Sequence, residues 1–299
     1  MKVFCTGAYG LVGSRFVELM HDRFDIIGSD RGDAPFDLPV ASFVRCDITD
    51  TQEVSRVFDQ TRPDAVIHFA AYTDVDEAEK QKGDKTGSAW AINVKGTEHV
   101  VQAAKDVGSH TIVISTGHVF GGEHAPNTEE TKPDPLSWYG VTKAEAERVA
   151  QEIDPNVCIA RIHYPFRQSF PFKTDMVRSM IDKLKGNTLP PMFTDQQITP
   201  TYIDDIAHGL SILLEKKIVG LVHLVGSSSH TPYEIATILA QTFFPEKKMS
   251  IQKTTLTEFS ATHPSYAPRP LDDRMESKRC VSLGLRMHKF SETLSLMTA

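Results

Sequence analysis

The sequence predicts an α/β fold in which a doubly wound parallel sheet carries a smaller C-terminal domain. Short apolar runs alternate with helical patterns over the first 160 residues, a glycine-rich turn follows the first run, and the alternation fades beyond residue 161. Short, nearly continuous apolar runs are typical of parallel strands buried on both faces. Alternation with helices is typical of crossover connections between such strands. We therefore predict a first domain at 1–160 and a second, mainly at 161–299, from which some segments return to the first sheet.

The individual elements follow these two patterns in chain order. Strands are predicted at residues 2–6, 24–29, 42–46, 65–70, 111–115 and 157–161. Helices are predicted between them at residues 11–21, 52–60, 89–107 and 139–152, and Asp50 with Glu53 forms a capping-box pattern at the start of the second. Beyond residue 161 the sequence predicts helices near 175–184 and 204–214 and from Thr231, a strand at 221–225, and loops at 189–200 and 262–274.

Composition and charge narrow the classes of partner. The 299 residues include 39 Asp and Glu against 32 Lys and Arg, a net charge of −7. An acidic surface repels phosphate backbones and anionic lipid, so neither nucleic acid nor a membrane is an expected partner. The four cysteines are far apart, no metal site is predicted, and the chain starts with a strand and no signal-peptide core. A reduced protein in the cytoplasm is therefore expected.

A glycine triplet, Gly7, Gly10 and Gly13, lies between the first predicted strand and the first predicted helix. Glycines there allow a tight turn and a close backbone approach to a pyrophosphate at the helix N-terminus, as in a Rossmann-type dinucleotide site. Asp30 ends the second strand, where a carboxylate can accept the ribose hydroxyls of the adenosine. A solvated turn position is the alternative for Asp30. The pattern predicts an NAD(H)- or NADP(H)-binding domain.

Asp30 and Arg31 have opposite effects on cofactor choice. Asp30 accepts both ribose hydroxyls of NADH and repels the 2′-phosphate of NADPH, which Arg31 can neutralise. We expect both cofactors to bind, with NADH preferred. The other predicted cofactor contacts are Gly7, Tyr9, Gly10, Leu11, Val12, Asp47, Ile48, Ala70 and Ala71, with Tyr139 and Lys143 at the nicotinamide. For Asp47 a helix-start role fits equally well.

Tyr139 and Lys143 are four residues apart in a predicted helix, so their side chains share one face. A free tyrosine has a pKa of about 10, and a neighbouring ammonium can stabilise its phenolate form. Thr116, at the end of the fifth strand, can hydrogen-bond a reacting carbonyl oxygen. With the glycine loop, these residues predict an oxidoreductase in which Thr116, Tyr139 and Lys143 are catalytic. A surface Tyr–Lys pair is the alternative.

Several stretches resemble the extended short-chain dehydrogenase/reductase family over most of the chain. They read TGAYGLVG at residues 6–13, ISTGHVFGG at 114–122 and YGVTK at 139–143. Residues 70–79, 200–207 and 269–275 look like those of dTDP-4-dehydrorhamnose reductases, which reduce the 4-keto group of a nucleotide-linked deoxysugar. The resemblance implies that Tyr139 is the proton donor, Lys143 the ribose and phenol partner, and Thr116 a carbonyl ligand. The implied contacts to the nucleotide sugar are Thr73, Val75, Thr116, His118 and Tyr139.

The chain departs from that pattern at the end of the fifth strand. These reductases usually read STDYVFDG, whereas residues 115–122 read STGHVFGG. The loss of an acid and an aromatic beside the substrate leaves the reducing groups in place and changes the sugar side of the site. For His118 a ligand, a proton relay and a wall residue are open, and the wall is favoured. Arg161 or Arg167 could bind a diphosphate, and a buried structural pair fits Arg161 equally well.

Two other functions remain open at this stage. One is a nucleotide-sugar epimerase or dehydratase of the same superfamily, which keeps its cofactor bound and cycles it. The other is a catalytically idle regulatory or binding subunit, like the β subunit of methionine adenosyltransferase, which resembles the same reductases. The intact Thr116, Tyr139 and Lys143 favour turnover. The helices at 89–107 and 139–152 are expected to expose long faces, and related enzymes often pair two such helices with their symmetry mates, so the resemblance also implies a homodimer.

Overall fold

The computed structural model describes residues 1–246 and 249–298, and a seven-stranded parallel sheet is its central element. The described strands are β1 Lys2–Thr6, β2 Asp25–Asp30, β3 Ser42–Arg45, β4 Ala65–His68, β5 His110–Thr116, β6 Cys158–Ile162, β7 Pro165–Phe166, β8 Met192–Phe193, β9 Gln197–Ile198, β10 Thr201–Tyr202, β11 Gly220–Leu224, β12 Lys253–Thr254 and β13 Asp272–Asp273. The large sheet has the order β11-β6-β5-β4-β1-β2-β3, and the short strands pair as β10 with β7, β12 with β8 and β13 with β9. The predicted parallel α/β fold is confirmed.

Helices cover both faces of the sheet, and six further α-helices lie in the described part of the chain beyond β6. The described α-helices are α1 Leu11–Met20, α2 Thr51–Thr61, α3 Val75–Glu79, α4 Ser88–Trp90, α5 Gly96–Asp106, α6 Trp138–Ile153, α7 Met176–Lys185, α8 Ile203–Glu215, α9 Pro232–Phe243, α10 Leu256–Thr262, α11 Lys278–Leu283 and α12 Phe290–Thr298. None of the helices within these described ranges combines the length and apolar character that a membrane crossing requires.

Alternate residues of the central strands face opposite helical layers. Val3 and Cys5 of β1 pack in the cluster that contains α1 and α8, whereas Phe4 packs in the cluster that contains α2 and α5. This alternation follows from the two-residue period of a strand. A further hydrophobic cluster is formed wholly by residues between 166 and 297, from α7, α9 and α12 among other segments. All four cysteines lie in the described part of the chain as buried thiols.

Several predicted boundaries differ from those observed. β4 ends at His68 rather than at residue 70, because its partner β1 ends at Thr6, where the backbone turns at Gly7 with φ +61°. The predicted helix 89–107 contains a π-helical turn, Ala91–Lys95, between α4 and α5. The predicted strand 221–225 appears as β11, which pairs with β6 in the large sheet.

The two loops predicted beyond residue 161 are not simple surface loops. The 189–200 segment contains β8 and β9. The 262–274 segment contains β13 and the residues that lead into it. Ala267 and Asp273 within this segment are fully buried. The surface-loop prediction is therefore wrong for this part of 262–274, because the backbone of β13 pairs with β9 and carries Asp273 into the interior.

A buried ion pair joins α6 to the strands beneath it. The Arg161 guanidinium, from β6, donates to both carboxylate oxygens of Glu147 in α6 at 2.8 and 2.6 Å. The Ser115 hydroxyl, from β5, donates to the same carboxylate at 2.5 Å. The Arg161 and Glu147 side chains are 1% and 5% exposed. The pair therefore fixes α6 against β5 and β6 and leaves Arg161 unavailable for a diphosphate.

Arg167 is also committed to a structural contact. Its guanidinium donates to the Glu18 carboxylate at 2.6 and 2.9 Å and to the Ser14 hydroxyl at 3.0 Å, both in α1. Neither Arg161 nor Arg167 lines the large cleft at the sheet edge. The alternative of a buried structural pair is the one that the geometry supports for Arg161.

We expect Glu147→Gln to lower the free energy of unfolding by about 3 kcal/mol, because it leaves the buried Arg161 charge without a partner. The control is Glu145→Gln on the same helix, which breaks a partly exposed pair with Arg148 and costs less than about 1 kcal/mol. Urea unfolding followed by circular dichroism measures both. Equal losses in the two variants would show that the buried pair is not a main support of the fold.

Candidate active site

A cleft of about 900 Å³ lies at the carboxyl ends of the central strands, where open α/β sheets bind their ligands. Its lining contains all the predicted cofactor and substrate residues except Tyr9. The Tyr9 ring is buried and packs edge-on against Phe36 and Phe43, with centroid distances of 5.2 and 5.5 Å. Tyr9 therefore supports the loop after β2 rather than the cleft wall.

The glycine loop has no room for side chains at two of its three glycines. A Cβ atom on Gly7 would lie 2.7 Å from the Ala70 nitrogen, and one on Gly13 would lie 2.5 Å from the Gly7 carbonyl oxygen. Gly10 is the N-cap of α1, and a Cβ there would meet only the Gly7 oxygen, at 3.2 Å, before the open cleft. The first turn of α1 carries no acidic side chain. Its unpaired N–H groups therefore suit a pyrophosphate.

The other end of the predicted cofactor site is built by the loops after β2 and β3. The Asp30 carboxylate lines the cleft and accepts a hydrogen bond from the Arg31 N–H at 2.8 Å. The Arg31 side chain is exposed at the same edge. Asp47 lines the cleft as well, but its carboxylate accepts from the N–H and hydroxyl of Thr49 at 2.9 and 2.7 Å. Asp47 thus also serves the turn before α2.

The three predicted catalytic residues meet at the opposite end of the cleft. Thr116 ends β5, and Tyr139 and Lys143 lie in the first turns of α6. The helix begins there because the Ser137 hydroxyl caps the Gly140 N–H at 3.2 Å and the Glu79 carboxylate accepts from the Trp138 N–H at 2.6 Å. The Lys143 ammonium donates to the Ile114 carbonyl at 2.8 Å, which holds it over the end of β5.

Burial is the main influence on the pKa values of Tyr139 and Lys143. It raises the pKa of Tyr139 to about 12, against the opposing effect of the Thr116 hydroxyl. It lowers the pKa of Lys143 to about 8, against the opposing effect of the Glu147 carboxylate. The expected lowering of the phenol pKa by Lys143 is not what the structure shows, since the effects that set it are burial and Thr116. The phenol is protonated at neutral pH and can act as a proton donor.

The departure at residues 117 and 118 has a steric explanation. A Cβ atom on Gly117 would lie 2.5 Å from the His163 ring, so the imidazole fills the space of the missing side chain. His163 Nδ1 accepts from the Thr199 N–H at 3.3 Å, which leaves Nε2 to donate to the Asp273 carboxylate at 2.9 Å. The His163 ring therefore occupies the space in which a side chain at position 117 would lie, and a buried carboxylate, Asp273, holds that ring.

His118 forms part of the cleft wall beside the Tyr139 phenol. Its ring lies edge-on to Tyr139 at a centroid distance of 5.6 Å and 6.0 Å from the ring of Tyr164. Burial lowers the pKa of His118 to about 4, so the imidazole is neutral. Tyr164 also lines the cleft. The sequence analysis did not select Tyr164 as a site residue, although it considered the nearby Arg161 and Arg167 as diphosphate ligands.

The side of the cleft predicted to bind the sugar is completed by a segment that the sequence analysis did not select. Thr73 precedes α3, Val75 begins it, and both line the cleft as predicted. Opposite them are residues from the connection between β7 and α7, and the Lys173 ammonium donates to the Thr73 hydroxyl at 2.9 Å. The additional lining residues are Lys173, Thr174, Asp175 and Met176. The described residues contain no group of three or more His, Cys, Asp or Glu side chains placed to hold a metal ion.

Comparison with known proteins identifies the family. The family model described as the RmlD substrate binding domain matches residues 1–299. The chain belongs to this family. A dTDP-4-dehydrorhamnose reductase from Aggregatibacter actinomycetemcomitans is 28% identical over 284 residues, which are 92% of this chain and 90% of that protein. The predicted relationship to extended short-chain dehydrogenase/reductases is confirmed.

Two further relatives of this RmlD family member bear on function. Methionine adenosyltransferase 2 subunit beta from Rattus norvegicus is 26% identical over 291 residues, which are 95% of this chain and 83% of that protein. The crystal structure of dTDP-4-dehydrorhamnose reductase from Bacillus anthracis in complex with NADP superposes with a TM-score of 0.85 at 27% identity. That superposition covers 99% of this chain and 98% of the other.

We expect the protein to bind both NADH and NADPH, with NADH preferred, and Arg31→Ala to weaken NADPH by about tenfold with little effect on NADH. The reason is that the Arg31 guanidinium is expected to contact the 2′-phosphate, which NADPH carries and NADH lacks. Arg45→Ala is the control, because Arg45 donates to the Arg31 carbonyl without lining the cleft. Fluorescence titration measures the affinities of the native protein and of both variants for the two cofactors. An equal loss for the two cofactors would show that Arg31 does not read the 2′-phosphate.

Proposed function

We propose that the protein is an NAD(P)H-dependent reductase that converts the 4-keto group of a nucleotide-linked deoxysugar to a hydroxyl. The observation that carries the proposal is the convergence of Thr116, Tyr139 and Lys143 at one end of a cleft whose other end holds the glycine loop and Asp30. The reductase relatives from Aggregatibacter actinomycetemcomitans and Bacillus anthracis support the reaction, and the NADP complex of the latter supports the cofactor.

The glycine loop and the strand ends fit a dinucleotide. The α1 N-terminus would take the pyrophosphate and Asp30 the adenosine ribose, which leaves the nicotinamide beside Tyr139. When bound, the reduced nicotinamide supplies a hydride to the carbonyl carbon of the sugar. The residues of the chain must then stabilise the charge that develops on the carbonyl oxygen.

Each catalytic residue has a distinct task. The Thr116 hydroxyl donates a hydrogen bond to the carbonyl oxygen and orients the carbonyl. Tyr139, whose pKa of about 12 keeps the phenol protonated, transfers its proton to the oxygen as the charge develops. Lys143, whose pKa is about 8, is mostly charged at neutral pH, and its ammonium would bind the ribose that carries the nicotinamide and so hold the ring beside Tyr139.

The same proposal gives roles to the predicted sugar contacts and to the part of the chain beyond residue 160. Thr73, Val75 and His118 contact the sugar, and the part of the chain beyond residue 160, with its own hydrophobic cluster, covers the substrate. The His163–Asp273 pair lies behind the cleft wall and packs against His118 and Tyr164, so it shapes the wall at the sugar through those two side chains. A cytoplasmic homodimer formed through the helices at 89–107 and 139–152 belongs to this proposal.

A regulatory subunit is the second candidate function. It is favoured by the rat methionine adenosyltransferase relative, which matches 95% of this chain. A subunit of that kind requires no proton donor. The full set of Thr116, Tyr139 and Lys143 around one cleft instead supports turnover.

We expect the protein to oxidise NADH or NADPH with at least one of the dTDP-, UDP- or GDP-linked 4-keto sugars, and Tyr139→Phe to lose at least about a hundredfold in kcat, the scale of one positioned acid. Cofactor affinity of the variant stays unchanged. Tyr202→Phe is the control, because Tyr202 is buried away from the cleft. Near-normal turnover in Tyr139→Phe, or no turnover of any sugar by the native protein, would contradict the proposal and favour the regulatory subunit.

A further inference from the structure

The connection between β7 and α7, residues 167–175, forms a strap with both ends fixed. At its start, Arg167 is held by Ser14 and Glu18 of α1. At its end, the Arg178 guanidinium donates to the Asp175 carboxylate at 2.6 Å and to the carbonyls of Phe170 and Lys173. The path of the strap is therefore set by specific side-chain contacts.

The middle of the strap contacts residues that lie on the two sides of the glycine loop. The Phe172 ring stacks on Phe36, with centroids 4.0 Å apart and planes within 8°, and the Lys173 ammonium donates to the Thr73 hydroxyl at 2.9 Å. Phe36 follows β2 and Thr73 follows β4, and β1 lies between these two strands in the sheet. Since the glycine loop follows β1, a strap that contacts Phe36 and Thr73 crosses over that loop.

Lys173 is the positively charged side chain where the strap crosses over the glycine loop. Three basic side chains line the cleft in the described part of the chain: Arg31 beyond β2, Lys143 at the catalytic end, and Lys173. Among the described residues, no carboxylate lies within ion-pair distance of the Lys173 ammonium. The carboxylate of Asp175, on the same strap, is taken by Arg178 and by the N-terminus of α7.

This arrangement suits a diphosphate group. The glycine loop and the α1 N-terminus offer N–H donors from below, and an ammonium above them would neutralise the remaining charge. A threonine hydroxyl is a weak partner for a cation, whereas a phosphate oxygen forms a stronger, charge-assisted hydrogen bond.

We propose that Lys173 binds the diphosphate of the dinucleotide, exchanging the Thr73 hydroxyl for a phosphate oxygen and closing the strap over the glycine loop. The identity of the dinucleotide rests on the proposed function. A nucleotide sugar carries the same diphosphate chemistry, and the crossing over the glycine loop favours the cofactor.

The test titrates NADH and NADPH without sugar, and separately a dTDP-linked sugar, into native protein, Lys173→Met and Lys173→Arg. We expect Lys173→Met to raise the Kd of NADH and of NADPH by about tenfold and by the same factor, and Lys173→Arg to restore most of the affinity. ADP-ribose, which keeps the diphosphate, shows the same loss, and AMP does not. Lys183→Met is the matched control, because it removes an exposed charge from α7 outside the cleft lining.

Three results would overturn the assignment. They are unchanged affinities in Lys173→Met with an unchanged melting temperature, a loss confined to NADPH, and a loss seen only when the dTDP-linked sugar is titrated. The last result would show that Lys173 binds the diphosphate of the nucleotide sugar instead. A native protein that binds NADPH in a Lys173-dependent manner but reduces no 4-keto sugar would contradict the reductase proposal and support the role of Lys173.

Discussion

The buried pair of Glu147 and Arg161 is the interaction on which the geometry of the proposed catalytic residues depends. Tyr139, Lys143 and Glu147 follow one another at four-residue spacing and so share one face of α6. Glu147 is bound to Arg161 of β6 and to Ser115, the neighbour of Thr116. The contact that docks the helix therefore also sets the phenol and the ammonium against Thr116. The Glu147 carboxylate also raises the pKa of Lys143 against the effect of burial.

Apolar runs were sufficient to predict the strands of the large sheet because buried parallel strands need few other signals. They could not predict where β4 ends, since that depends on the turn of β1 at Gly7. Nor could spacing reveal the π-helical turn at Ala91–Lys95. The Asn93 side chain in this turn forms hydrogen bonds with the N–H and the carbonyl of Tyr72 and with the hydroxyl of Thr142. Such tertiary contacts produce no periodic pattern in the sequence.

The site divides in the same way. Asp30, Thr116, Tyr139 and Lys143 were predictable because each lies at a strand end or at helical spacing, and the structure brings them to one cleft. His163 with Asp273, and Lys173 with Thr73, were not, because their contacts join residues 110 and 100 positions apart. The Gly117 departure was visible in the sequence, but its cause, the His163 ring in that space, required the fold.

Reduction is tested most directly by incubating the protein with NADPH that carries deuterium at the transferred position of the nicotinamide, together with a dTDP-linked 4-keto-6-deoxysugar. We expect NMR to find the deuterium on the sugar carbon that carried the keto group, with one oxidised cofactor formed for each sugar reduced. A sugar product without deuterium, or an epimerised sugar formed with no net oxidation of the cofactor, would contradict hydride transfer to the 4-keto group.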